Sequence, residues 1–315
     1  MSPRKVSVLA SLGVLAVATA LLYAWYRSDL AAAQQRIATG SEVVETACGA
    51  IEFAAAGEGP AVLLVHGAGG GFDQTLGAAQ ELAERGFRVI APSRFGYLRT
   101  PQRSEATPAA QADAYACLLD ALNIRRAAVI GVSAGSPSAL QFALRHAART
   151  TALVVLVPMV YAPQASIARP PAAMRWLFEG AVGSDFLFWL AARASPQRLL
   201  GTPPGILARA DAAEKARFSF LALQPLPVSR RREGLLNDAV IATHPQRYDL
   251  ERIAAPTLVI GVRDDPFGTY ERAIYTAQHL PGARFVGLPD GGHLWVGRQR
   301  EVLGETAAFL TRSAR

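Results

Sequence analysis

Hydrophobic positions fall into two regimes along this chain. In the first, Val6 to Tyr26 form one uninterrupted run without a charged side chain. As a helix the run would be about 30 Å long, the thickness of a bilayer's hydrocarbon core. Arg4 and Lys5 precede it, Arg27 and Asp29 follow, and Tyr23, Trp25 and Tyr26 crowd its far end. Basic residues tend to stay on the cytoplasmic side, and aromatics gather at membrane interfaces. Residues 1–27 therefore read as a single-pass membrane anchor with the rest of the chain outside the cytoplasm. The alternative is a cleaved signal peptide and an exported soluble protein, because Ala18-Thr19-Ala20 and Ala31-Ala32-Ala33 both have the A-x-A form. Residues 28–42, polar and rich in Ala and Gln, read as a linker.

The second regime alternates short apolar runs with amphipathic stretches. Residues 43–57 read as two short strands joined near Gly49. AVLLVHG (61–67) is a strand buried on both faces, a pattern typical of parallel sheets. A helix over 74–85 ends at Gly86, and RVIAPSRFG (88–96) is the next strand. Thr107 is the N-cap of a helix that starts at Pro108 and runs to Leu122. AAVIGVS (127–133) is a strand running into a helix from Ala134, and ALVVLVPM (152–159) follows as a strand. Residues 160–250 break the alternation with prolines, aromatics and helical segments but no strand-like run. TLVIGVRDD then resumes it, followed by a helix (270–280), the strand-like ARFVGLPDGG and a closing helix (298–312). Strands alternating with helices imply an α/β fold whose mainly parallel sheet is covered on both faces. The domain plan is a core of residues 43–159 and 251–315 with a helical lid, 160–250, inserted between two strands.

Composition narrows the class. The chain has 315 residues, 51% hydrophobic and 18% charged, so it is not disordered as a whole. Its net charge of +7 is carried almost wholly by arginine and forms no basic stripe interleaved with aromatics, which argues against nucleic acid as a partner. Two cysteines, Cys48 and Cys117, exclude a Cys₄ zinc site and an iron–sulfur cluster. An exported domain would permit their disulfide, but Cys117 lies within the apolar AYACLLDAL, and two free buried thiols are the expectation.

The chemistry is concentrated in four places. Gly131-Val132-Ser133-Ala134-Gly135 is a G-x-S-x-G between a strand and a helix, the context this motif needs to push a serine hydroxyl out of the sheet edge. A serine nucleophile needs a base, and the base needs an orienting acid. Of five histidines, His293 follows Pro289-Asp290-Gly291-Gly292 at the end of the last strand, where it can reach the serine. Asp264 and Asp265 stand at the end of TLVIGVR, on the same edge, and both are open as the acid. His66-Gly67-Ala68-Gly69-Gly70-Gly71 follows a strand but lacks the patterns of a nucleotide loop. Its use is to bring a backbone N–H, Ala68 first and Gly69 second, to an oxyanion shared with the N–H of Ala134. His66 itself reads as structural.

HGAGGG, GVSAG, GVRDD and GGH, in this order on alternating strands, resemble the α/β-hydrolase superfamily over about residues 43–315. The resemblance implies an eight-stranded sheet with strand two antiparallel and a lid inserted after strand six. The family's G-x-x-D pattern, placed on Gly261, implies Asp264 as the acid rather than Asp265. A departure is Ser93, where relatives often carry aspartate. The serine nucleophile is unlike that of haloalkane dehalogenases and epoxide hydrolases. The expected activity is hydrolysis of apolar carboxylic esters through an acyl-enzyme on Ser133, with His293 as base and no metal or cofactor. Other chemistries of the scaffold stay open: thioesterase, acyltransferase, C–C bond hydrolase, cofactor-free haloperoxidase, or binding without catalysis. Trp176, Leu177, Phe178, Phe186, Phe188, Trp189, Phe218 and Phe220 make the lid apolar and are expected to pack it on the core. Arg230-Arg231-Arg232 reads as an exposed basic turn.

Overall fold

The computed structural model describes residues 3–163, 165 and 178–314. Eight strands form one sheet: β1 (Glu42–Thr46), β2 (Gly49–Ala56), β3 (Ala61–Val65), β4 (Arg88–Pro92), β5 (Ala127–Val132), β6 (Thr150–Leu156), β7 (Thr257–Val262) and β8 (Arg284–Leu288), in the spatial order β1-β2-β4-β3-β5-β6-β7-β8. β2 runs antiparallel to both its neighbours and every other pairing is parallel, as expected.

Successive side chains of a strand point to opposite faces, so a strand buried on both faces is apolar at nearly every position. Leu63, Val65, Val129, Val155 and Val259 face one core with Tyr115 and Leu118 of α3 (Pro108–Ala121) and Leu140 and Phe142 of α4 (Ser136–Arg145). Val62, Leu64, Ile130, Val154 and Ile260 face the other, with Leu82 of α2 (Leu76–Ala83) and, at the C-terminus, Val302 and Leu310 of the last helix. Thr107 caps α3 as read from the sequence: its hydroxyl accepts the Ala110 N–H at 3.1 Å.

Between β6 and β7 the described residues hold helices and no strand, chiefly α5 (Asp185–Ala194), α6 (Ala212–Leu223) and α7 (Arg232–Thr243). After β7 come α8 (Thr269–His279) and, beyond β8, α9 (Gln299–Ser313). Phe188, Trp189 and Phe218 are buried in the insertion, but Phe178 and Phe220 are exposed; Trp176 and Leu177 lie outside the described residues.

Three expectations are corrected. Residues 28–42 are not a separate linker for most of their length, because the first helix, α1, runs unbroken from Pro3 to Ala38. The Ala/Gln-rich sequence is a good helix former, and its last turns are docked. Ala33 is buried among Val182, Trp189 and Leu226, and Asp29 Oδ2 accepts the Trp189 indole N–H at 2.6 Å. Second, Arg231 is not in an exposed basic turn. It is fully buried and pairs with fully buried Asp73, whose other partner is Arg36 of α1. Third, Cys48 and Cys117 are not free thiols but are bonded to each other, with Cα atoms 5.9 Å apart. The tight β1–β2 turn swings Cys48 onto the half-buried side of α3, a proximity that no local pattern announces.

Candidate active site

Ser133 directly follows β5 in a left-handed conformation, φ 49°. A non-glycine residue there is uncommon and strained. Two glycines make the turn sterically feasible. A Cβ on Gly131 would stand 2.6 Å from the Ala139 Cβ, and one on Gly135 would stand 2.5 Å from the His66 carbonyl oxygen. The strand and helix therefore close on each other, and the serine side chain is presented at the sheet's C-terminal edge. Ala134 occupies the first turn after it, where backbone N–H groups have no intrahelical partner and the dipole favours negative charge.

Ser133 Oγ lies 2.9 Å from His293 Nε2. His293 is placed by the Gly291-Gly292 turn, both residues at positive φ, and its own N–H donates to the Gly201 carbonyl of the insertion at 2.8 Å. His293 Nδ1 lies 2.7 Å from Asp265 Oδ2, not from Asp264. This corrects the preference for Asp264. After β7 the chain turns, so that Asp265 points inward, 6% exposed, while Asp264 is half-exposed and accepts the N–H groups of Gly292 (2.8 Å) and Gly291 (3.3 Å). Asp264 thus braces the histidine loop from outside, and Asp265 meets the ring.

Burial alone would raise the Asp265 carboxyl. Hydrogen bonding and charge from His293, the Thr269 hydroxyl and the Phe267 N–H outweigh it and hold the group below its ordinary range. The carboxyl is therefore ionised near neutral pH. Phe267 also stands edge-on to the imidazole, centroids 4.9 Å apart.

The glycine-rich loop lies alongside. A Cβ on Gly67 would come 3.4 Å from the Ser133 Cβ, so this backbone borders the Ser133 side chain. The Gly67 N–H is taken by Gln74 Oε1 (2.9 Å), and the Gly69 N–H points to the Tyr97 hydroxyl (3.3 Å). Among the described residues, the Ala68 N–H between them is given to no intramolecular acceptor. Ala68 is also the one exposed residue of the His66–Gly71 loop. His66 is structural as read: Nε2 accepts the Arg94 N–H at 3.0 Å, and Nδ1, which then carries the proton, faces the Gly67 carbonyl at 2.7 Å. Burial, with the nearby Arg94 charge, pushes its pKa well down, so the ring is neutral.

Sequence reasoning missed Glu52. This fully buried carboxylate of β2 accepts the Ser93 hydroxyl at 2.8 Å and the Arg99 guanidinium at 2.7 Å. It brings a carboxylate from a neighbouring strand to the place where Ser93 has none.

Residues 60–296 match the family model of the alpha/beta hydrolase fold. The chain is 28% identical over 271 residues to the uncharacterized hydrolase YcgS of Bacillus subtilis, covering 81% of this chain and 93% of that one. Among solved structures it resembles an alpha/beta hydrolase fold protein from Nakamurella multipartita at 30% identity and TM-score 0.69, over 87% of this chain and 100% of the other. It also shares its fold with a bacterial membrane phospholipase A, at 23% identity and TM-score 0.65, over 99% of both chains. Sheet order, strained serine turn and matched residues agree: the chain belongs to the alpha/beta hydrolase fold family.

Proposed function

We propose that the protein is a membrane-tethered serine hydrolase that cleaves carboxylic esters of apolar substrates. The contact that carries this reading is Ser133 Oγ to His293 Nε2, continued from Nδ1 to Asp265. Ser133 attacks the ester carbonyl while His293 takes its proton. Asp265 holds the imidazole with Nδ1 protonated and stabilises the imidazolium. The N–H groups of Ala68 and Ala134 receive the oxyanion. The imidazolium protonates the departing alkoxide, leaving Ser133 acylated. A water, deprotonated by His293, then releases the acid and restores the serine. No step calls for a metal or cofactor.

The tether and its side of the membrane rest on four observations. The apolar part of α1 exposes Leu12, Leu15, Leu21 and Trp25. Where that part ends, Trp25 and Tyr26 pack on Trp189 of α5, centroids 5.5 and 5.6 Å apart. α5 itself exposes Leu187 and Leu190 beside that junction, which suits a lid lying against lipid and receiving acyl chains from it. The Cys48–Cys117 bond suits an oxidising compartment outside the cytoplasm.

The test is hydrolysis of p-nitrophenyl esters of increasing chain length, with a thioester and a C–C substrate beside them. Ser133→Ala should abolish turnover and fluorophosphonate labelling. Full activity in that variant would overturn the reading, and preference for the thioester would move it to another chemistry of the same site. Release of the protein from membranes by an alkaline carbonate wash would overturn the spanning helix.

A further inference from the structure

Arg94 is buried between the glycine-rich loop, the serine turn and the insertion, and the chemistry above assigns it no step. Its guanidinium grips Asp238 of α7 in a bidentate pair, Nη1 to Oδ1 at 2.7 Å and Nη2 to Oδ2 at 2.6 Å. A bidentate fork of this kind fixes the plane of the guanidinium as well as its position. The Tyr97 hydroxyl donates to the same Oδ2 at 2.5 Å, and the Tyr97 ring lies under the Arg94 cation, 5.0 Å from it. The remaining faces of the guanidinium point at the two walls of the oxyanion site. Nη2 donates to the Gly67 carbonyl at 3.1 Å, and Nη1 to the Ala134 carbonyl at 3.3 Å.

The Gly67 carbonyl matters because it shares a peptide unit with the Ala68 N–H. Among the described residues the single cis peptide bond is Leu226–Pro227, so this unit is trans and its N–H points opposite to its C=O. Three donors hold the carbonyl inward: His66 Nδ1–H at 2.7 Å, Arg94 Nη2 at 3.1 Å and the Gly70 N–H at 3.3 Å. Pinning the oxygen inward aims the Ala68 N–H outward, to the side where Ala68 is exposed, in the same peptide unit as Gly67, which borders Ser133. A cation on the oxygen also polarises the amide and strengthens its N–H as a donor. Asp238 lies 144 residues from Arg94 and belongs to the insertion.

We infer that Arg94, locked by Asp238 of the insertion, is the positioning residue that sets the Ala68 N–H in the oxyanion site, so that a competent site requires the insertion docked on the core. Arg94 does not touch the substrate; it acts through the Gly67–Ala68 peptide. The inference rests on the serine-hydrolase reading. That reading is checked first, by fluorophosphonate labelling of the full chain and its loss in Ser133→Ala.

The experiment then compares wild type with Arg94→Met and Asp238→Asn in detergent, each shown folded by circular dichroism. Kinetics on a p-nitrophenyl ester are measured beside affinity for a trifluoromethyl ketone, which forms a tetrahedral oxyanion adduct on the serine. Losing one oxyanion donor costs about 10²–10³ in kcat. Arg94→Met should lose kcat on that scale with KM unchanged, and ketone affinity should fall by the same factor. This proportionality separates lost transition-state binding from general loosening, which raises KM without matching loss of ketone affinity. Asp238→Asn keeps the shape but not the charge that locks the guanidinium, and should show the same pattern at smaller amplitude. It carries the test alone if Arg94→Met does not fold. Wild-type kcat and ketone affinity in a folded variant that still labels would overturn the inference and leave the serine-hydrolase reading intact. A rise in KM with kcat unchanged would overturn it equally.

Discussion

Adjacent aspartates, one residue apart, stand in different surroundings, and exchanging each for asparagine separates their roles. Asp265 Oδ2 lies 2.7 Å from His293 Nδ1 in a buried setting. In the proposed mechanism His293 takes the serine proton, and the imidazolium that forms has its charge about 4 Å from that of the carboxylate. At an effective dielectric of about 20 the attraction is ~4 kcal/mol, or roughly three decades of rate. Asn also disturbs the tautomer, which in serine proteases brings the loss to about 10⁴-fold. Asp265→Asn should therefore lower kcat by about 10³–10⁴ at unchanged fold. Asp264→Asn keeps an oxygen for the Gly291 and Gly292 N–H groups and loses only the charge on those bonds, about 1–3 kcal/mol of stability at most. Its kcat should stay within about tenfold of wild type, the equivalent of ~1.4 kcal/mol in the barrier. The assay is steady-state hydrolysis of a short p-nitrophenyl ester at pH 8, with urea unfolding of both variants. A loss of three decades in Asp264→Asn with Asp265→Asn near wild type would refute the assignment.

Other outcomes test the scaffold. Arg231→Met leaves Asp73 buried without its nearest cation and should cost about 3–5 kcal/mol, read from the urea midpoint. Cys117→Ser opens a cross-link between residues 69 apart in sequence and should lower stability by about 2–4 kcal/mol, an effect reproduced by reducing the wild type. For Asp73, burial would raise the carboxyl, but Arg231 and Arg36 outweigh it and hold it below its ordinary range, as the site contacts do for Asp265. A carboxyl with a depressed folded pKa contributes stability above the ordinary carboxylate value of about 4, and that stability is lost as pH falls through the folded pKa. Stability should therefore drop from about pH 4 downward, and Asp73→Asn should flatten part of that slope in urea titrations at stepped pH.

Local patterns made much of this molecule readable. β3, β5 and β7 announce themselves as short, almost wholly apolar runs, because a parallel strand covered on both faces leaves little room for polar side chains. Ser133 was legible because its turn needs small residues two before and two after it, a constraint written within five positions. His293 was legible from its Gly-Gly turn at a strand end. Asp264 and Asp265 were not separable by sequence. Both satisfy the requirement of an acid at the end of β7, and the family spacing favoured the one that ends up bracing the loop. Which carboxylate faces the ring depends on how the chain turns after Val262, and that turn is set by contacts with Thr269, Phe267 and residues 291–293.

The same boundary runs through the rest of the protein. Sequence alone determined the strand and helix alternation, the strained serine, the choice of histidine, the inserted helical segment and the long apolar N-terminal helix. Each of these is encoded in a window of a few residues or in a simple periodicity. The tertiary structure alone decided the burial of Arg231, the Cys48–Cys117 bond, the continuation of α1 onto the insertion, the carboxylate that Glu52 brings to Ser93 and the grip of Asp238 on Arg94. All are pairings between residues far apart in the chain. A buried charge is tolerated only where folding delivers its partner, and the sequence around an arginine does not say whether a carboxylate will come from across the fold to meet it.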